Sequence, residues 1–306
     1  MKSLPHLFCA ISLACAASAL AGSKEVKDYK AALECPPDAL TIIHASADFV
    51  GASDFKHSSG HQEALHYDFE ADQRIPLGFT WPNKECGRWY LKLGVNYSRF
   101  DFDTENQTRV PNTLQNISGV IALEYLVKGE VGILLETRPG VYFEHDINSG
   151  AFDSPTTLAL AYPVFGGDKF YVIGGVAGAL LWSPNIIPVV GVLWHINDQW
   201  DLRGYLPEPR LVYKASDKLQ VWVGGELAGG GYKTDHRDVD PHKLSGAVVT
   251  YTDVRAGAGI TLACKPFTVD LGGGVSLQRD FDYNRAGSRF RTDAAPYVKI
   301  AVIAAF

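Results

Sequence analysis

From about residue 40 onward the chain alternates apolar and polar positions at period two, run after run. This is the pattern of strands with one face in each of two environments. Residues 64–71 place Leu65, Tyr67, Phe69 and Ala71 on one face and His66, Asp68 and Glu70 on the other. Trp89, Leu91, Leu93, Val95 and Tyr97 likewise oppose Lys92, Asn96 and Ser98, and Val131, Ile133 and Leu135 oppose Glu136 and Arg138. Phe267, Val269, Leu271, Val275 and Leu277 oppose Asp270, Ser276 and Gln278. The closing stretch, 295–306, reads APYVKIAVIAAF, with Val298, Ile300, Val302, Ala304 and Phe306 on one face and Lys299 on the other. Short turns near 82–84, 128–130, 166–168, 197–199 and 264–266 separate these runs on one side. Longer polar loops at 101–112, 144–155, 229–244 and 280–293 separate them on the other. A soluble sandwich has no reason to sort loop length by side, whereas a membrane barrel does. The expectation is an all-β, transmembrane antiparallel up-and-down β-barrel with both termini on the periplasmic side, which makes the strand count even.

Parity turns on residues 200–216, which lie between two turns of the periplasmic kind. Their legs hold about six residues where a tilted span needs about nine to eleven, and Pro207 and Pro209 interrupt any ladder. Twelve strands is therefore the preferred count, with fourteen the alternative. The hairpin at 170–194 departs from alternation, because Tyr171, Ile173, Ala177, Ala179 and Leu181 stand where polar interior residues belong. An inward-folded segment covering this wall, with 200–216 the nearest candidate, accounts for it. A path for a hydrophobic solute is the sharper reading of the same feature.

The terminal strand ending on Phe306 resembles that of bacterial outer-membrane β-barrels, in which a closing aromatic residue is an assembly signal. Residues 206–213, LPEPRLVY, followed by Gly224-Gly225-Glu226, resemble a group of bacterial outer-membrane barrels of no assigned function. That likeness implies a barrel and its location, porin-like in kind, and carries no catalytic residues across. The N-terminus fits the same address. Lys2 precedes an apolar stretch at 4–14, and Ala19-Leu20-Ala21 is a small-x-small cleavage site. Residues 1–21 are thus expected to be a Sec signal peptide cleaved near Ala21, 22–38 a periplasmic lead-in, and 39–306 the barrel.

Composition narrows the picture further. A mean hydropathy of −0.03 over 306 residues excludes a helical membrane protein, while 30 Gly, 14 Tyr, 6 Trp and one Met suit strands with interfacial aromatics. A net charge of −6 argues against nucleic acid as a partner. Outer-membrane lipid, lipopolysaccharide and the assembly machinery are the expected partners. Once the signal is removed, Cys35, Cys86 and Cys264 remain, all expected on the periplasmic side, with Cys35 able to reach Cys86. No Cys or His spacing suggests a metal, and no cofactor is expected.

Candidate chemistry lies mainly on the interior face. His66, Asp68, Glu70, Lys92, Glu124, Glu136, Arg138, Glu226, Asp253, Arg255, Asp270 and Lys299 all stand opposite apolar neighbours. Toward lipid a charge costs up to a few kcal/mol near the midplane, so these residues are expected to face the lumen. They suit a water-filled passage of mixed charge or a salt-bridged filled interior. The function expected is a passive, porin-like channel for small solutes, with a structural or surface-interaction barrel as the alternative. A third class rests on His57-Ser58-Ser59-Gly60, which resembles the H-x-S pattern of outer-membrane phospholipases and lipid A deacylases. There His57 would activate Ser59 toward an ester, although Gly60 stands where the phospholipase pattern has Asn. The acidic and His-rich run at 235–242 is read as a solvated loop, since it lacks calcium-loop spacing.

Overall fold

Consecutive strands pair antiparallel all the way along the chain, and the last pairs with the first. The computed structural model describes residues 40–56, 59–77, 88–105, 109–126, 131–164, 169–236 and 242–306. The expected signal peptide and lead-in, with Cys35, Cys86 and His57, lie outside these residues. The first strands are β1 (Leu40–Asp54), β2 (His61–Leu77), β3 (Arg88–Glu105) and β4 (Thr113–Leu126). Two interrupted strands follow, β5 (Gly132–Thr137) with β6 (Gly140–Phe143), and β7 (Phe152–Asp153) with β8 (Thr156–Pro163). Then come β9 (Phe170–Gly178), β10 (Ile186–His195), β11 (Trp200–Tyr205), β12 (Arg210–Lys214) and β13 (Leu219–Lys233). β14 (Val248–Cys264), β15 (Phe267–Tyr283) and the interrupted pair β16 (Ser288–Arg291) and β17 (Ala295–Ala305) complete the ring. Counting each interrupted pair once gives a closed barrel of 14 strands.

The preferred count of twelve was therefore too low, and the reason is local. β11 and β12 both stand in the wall, with Trp200 opposite Tyr213 and Arg203 opposite Arg210. Their legs are short because the hairpin turns inward partway up. Beyond it, the Pro209 and Pro207 carbonyls accept from Gly225 N (2.8 Å) and Leu227 N (2.9 Å), so prolines that donate nothing still extend the ladder. Above this turn no ladder joins β10 to β13 among the described residues. Side chains fill the seam instead: Ala177, Ala179, Trp182 and Ile187 from the β9–β10 hairpin pack on Leu227 of β13. This explains why that hairpin is apolar on both faces. Its inner residues are covered by Tyr205, Leu227 and Trp182 rather than by the whole of 200–216.

Several strands run past the expected loop boundaries. β13 continues to Lys233, inside what reads in sequence as a polar loop. At Gly229 (φ 130°), Gly230 and Gly231 it folds inward, and a Cβ on Gly231 would meet the backbone of Leu181. The β13–β14 hairpin thereby leans across the mouth to β6, where Glu144 N donates to Lys233 O at 3.1 Å. Beneath it lies an apolar cluster of interior residues, including Phe100, Phe102, Tyr232, Tyr251 and Phe281. Ring centroids of Phe102, Tyr251 and Phe281 lie 4.9–5.0 Å apart, in the range of favourable aromatic pairs.

The outer face is the reverse of a soluble protein's. Val95, Ile117, Val190, Val223, Val298 and Ile300 are between 47% and 68% exposed, while their neighbours in the strand point into an enclosed interior. An apolar belt of this extent needs a partner other than water. Val298→Arg, placed on that belt, is expected to cost about 2–4 kcal/mol if it meets hydrocarbon near the midplane. The check is the folded fraction on unheated gels after refolding into lipid vesicles, which should fall well below wild type; an unchanged fraction would count against a lipid-facing wall.

Candidate functional site

The interior is held by ion pairs that the alternating pattern forces to face one another. One group spans β2 to β6 and the bend between its last two segments. Lys92 Nζ meets Glu136 Oε2 at 2.7 Å, Arg138 bridges Glu136 Oε1 (2.7 Å) and Glu70 Oε2 (3.1 Å), and Arg74 Nε meets Glu124 Oε2 at 2.9 Å. The second group lies on β12 to β17 and β1. Arg255 holds Asp48 Oδ1 at 2.6 Å and Asp253 Oδ2 at 2.7 Å. Lys299 Nζ reaches Glu226 at 2.8 Å and Glu208 at 3.0 Å, and Arg210 joins Glu208 (3.1 Å) to Asp270 (2.8 Å). Arg210 also stacks 3.9 Å from the Trp222 ring, whose Nε1 donates to Asp270 Oδ1 at 2.8 Å. That indole lies over Gly259 and Gly272, and a Cβ at either position would strike it. Buried charges are tolerable only when paired this closely.

Between the ion pairs and the aromatic cap lies a cavity of about 90 Å³. His44, His66, Asp68, Asn96, Ser98, Asn116, Glu226 and Lys299 line it on one side, and Ala228, Gly230 and Tyr232 of the inward-leaning β13 lie across it. His44 Nδ1 lies 3.2 Å from Asp68 Oδ2, and His66 Nδ1 lies 2.8 Å from Asp48 Oδ2. Asn116 Nδ2 donates to Asn96 Oδ1 at 2.9 Å, and Asn96 Nδ2 donates to Asp68 Oδ1 at 3.0 Å. The result is a partly open polar chamber, with packed aromatic rings on its loop side.

The family described as DUF6268, a domain of unknown function, matches residues 39–305. The chain belongs to it. No curated protein matches the chain. Among solved structures it is similar to the COG4313 outer membrane channel from Pseudomonas putida F1, at 9% identity over 88% of this chain and 96% of that one, TM-score 0.46. It is also similar to the TodX deltaS2S3 mutant monoaromatic hydrocarbon channel, at 9% identity over 93% and 94%, TM-score 0.46. A third is the translocator domain of the autotransporter NalP from Neisseria meningitidis, at 11% identity over 92% and 93%, TM-score 0.37. At such identities and scores these likenesses carry no argument about what this family member does.

In this DUF6268 chain the twelve residues singled out from alternation are buried or line the chamber, and the structure brings them into the two groups above or into that chamber. Ser59 lies exposed in the β1–β2 loop, and its proposed partner His57 is outside the described residues. Asp235 of the acidic loop accepts from His145 N and Asp146 N, and the described residues hold no group of three metal-ligating side chains. Cys264 is exposed beside the turn after β14. Sequence reasoning missed Asp48, Glu208 and Arg210. His44, Ser46 and Asp48 did alternate, but Ile42 and Val50 on the same face blurred the pattern. Glu208 sits between two prolines, where no strand was expected. Arg255→Met would leave Asp48 and Asp253 without their shared cation and is expected to cost about 3–5 kcal/mol. Urea unfolding in phospholipid vesicles, followed by tryptophan fluorescence, should show that loss; a change under about 0.5 kcal/mol, typical of a surface site, would contradict it.

Proposed function

We propose that the protein is a bacterial outer-membrane barrel that acts as a normally shut channel for small solutes. The observation that carries this reading is an apolar outer belt around a charged interior whose polar chamber is stopped at one end by packed rings. Its orientation follows from the alternation of loop length, with the termini and short turns in the periplasm and the aromatic cap at the cell surface. Both signs of charge line the chamber, so strong selection between anions and cations is not expected. The cap is the gate. It is the packed rings of β3, β14 and β15, covered by the inward-leaning β13–β14 hairpin, which reaches the far wall through a few hydrogen bonds rather than a long ladder.

A second reading, a filled barrel with a structural or surface-interaction role, is favoured by the density of ion pairs below the chamber. Conductance separates the two. In planar bilayers the wild type should show rare openings, and Tyr251→Ala combined with Phe281→Ala, which strips about 3–5 kcal/mol of packing per ring from the cap, should open a sustained passage. Silence from both proteins would favour the filled barrel, and a large, stable wild-type conductance would remove the gate.

A further inference from the structure

We infer that Ser98, His66 and Asp48 form a hydrolytic site for short-chain carboxylic esters inside the barrel. The three come from adjacent strands, Asp48 from β1, His66 from β2 and Ser98 from β3. Asp48 and His66 are direct cross-strand partners, and Ser98 lies one inward position along β3 from Phe100, the residue opposite His66. His66 Nδ1 is 2.8 Å from Asp48 Oδ2, and His66 Nε2 is 2.9 Å from Ser98 Oγ. A carboxylate can only accept, so Nδ1 carries a proton toward Asp48, and in the neutral ring Nε2 is left to accept from the Ser98 hydroxyl. That is the order of donors and acceptors an activated serine requires, recognised by geometry and not by position in the chain.

The supporting contacts hold this arrangement in place. Arg255 occupies the other oxygen of Asp48 at 2.6 Å and leaves Oδ2 to the imidazole. Phe100 stacks on the His66 ring with centroids 4.0 Å apart and planes 5° apart, fixing the plane in which Nε2 points. Both His66 and Ser98 line the chamber, so the pair meets open space and not packed side chains. Asn116, opposite Ser98 on β4, lines the same chamber and spends an amide hydrogen on Asn96 Oδ1. It is the candidate donor to the oxygen that becomes negative during attack. Size sets the substrate class. An apolar cavity of about 150 Å³ takes a benzene, so the space of about 90 Å³ beside Ser98 seats an acetyl-sized acyl group.

The chemistry closes without another reagent. Ser98 Oγ bonds to the ester carbonyl carbon as its proton passes to His66 Nε2. The carbon–oxygen bond to the leaving alcohol then breaks, and the alcohol takes that proton. Water attacks the acylated Ser98 with His66 again receiving a proton, releasing the acid and restoring the serine. This inference is independent of the channel reading, since a conducting barrel without the activity, or the reverse, would separate them.

The test uses the full barrel refolded in detergent, with heat-modifiable gel mobility confirming that each variant folds. The probes are p-nitrophenyl acetate, p-nitrophenyl palmitate and diisopropyl fluorophosphate. Wild type should hydrolyse the acetate and gain the phosphoryl mass on the peptide holding Ser98. Ser98→Ala should abolish both, and His66→Gln should slow hydrolysis about a hundredfold or more, the usual contribution of a general base. No turnover above that of heat-unfolded protein, labelling at another residue, or activity lost in Ser59→Ala and kept in Ser98→Ala would overturn the assignment. Equal rates on the two esters would overturn the short-chain class.

Discussion

Closure of the backbone ladder between β1 and β17 is the constraint on which everything else depends. Ile42 through Val50 pair with Ala305 through Tyr297, and Thr41 and Phe306 exchange both hydrogen bonds, N to O at 3.1 and 3.0 Å, beyond the last pair. Hydrocarbon offers no substitute for a missing backbone partner, so a sheet can sit in lipid only if it has no edge. Once the ring is closed, period-two alternation ceases to be a local preference. It assigns every residue of the wall to one of two media, and each charged side chain must find its partners in a space about one barrel wide.

That confinement explains the interior. Asp48, Glu226, Asp253 and Arg255 come from three strands, yet Arg255 draws the three carboxylates together, with Glu226 the most distant at 3.7 Å. Among the described residues the ladder lapses at the seam between β10 and β13, and there the interior turns apolar. Pro188 on β10 lacks the N–H a central strand would need, which suits an edge that is covered instead of paired. The same hairpin that shortens the wall delivers Glu208 to Lys299 and Arg210. A defect in the ladder and a node of the charge network are thus one feature.

Much of this fold was legible from residue pattern alone, because strands between unlike media carry the strongest alternation. β2, β3, β5, β15 and β17 show it plainly. What could not be read depended on partners far away in sequence. The length needed to cross was assigned to each leg of 200–216 by itself, whereas β13 supplies the rest of that wall. Gly229-Gly230-Gly231 was the local sign that β13 bends inward, but a glycine run also reads as a loop. The chamber itself was half visible: His66, Asp68, Asn96 and Ser98 stood on the right faces in sequence. Their contact with Asp48 and Asn116 required the register of four strands, which no single stretch encodes.

The most direct measurement of the central claim is the environment of successive residues on β17. Nitroxide labels placed singly at residues 298, 299, 300 and 301, in a background with Cys35, Cys86 and Cys264 replaced, can be read in lipid vesicles for collision with oxygen and with a water-soluble nickel chelate. A closed ring with its apolar face outward predicts high oxygen access and little chelate at 298 and 300, and low oxygen access at 299 and 301. Labels that show no alternation, or chelate reaching 298 and 300 freely, would mean that this face meets water and that the barrel does not span a bilayer.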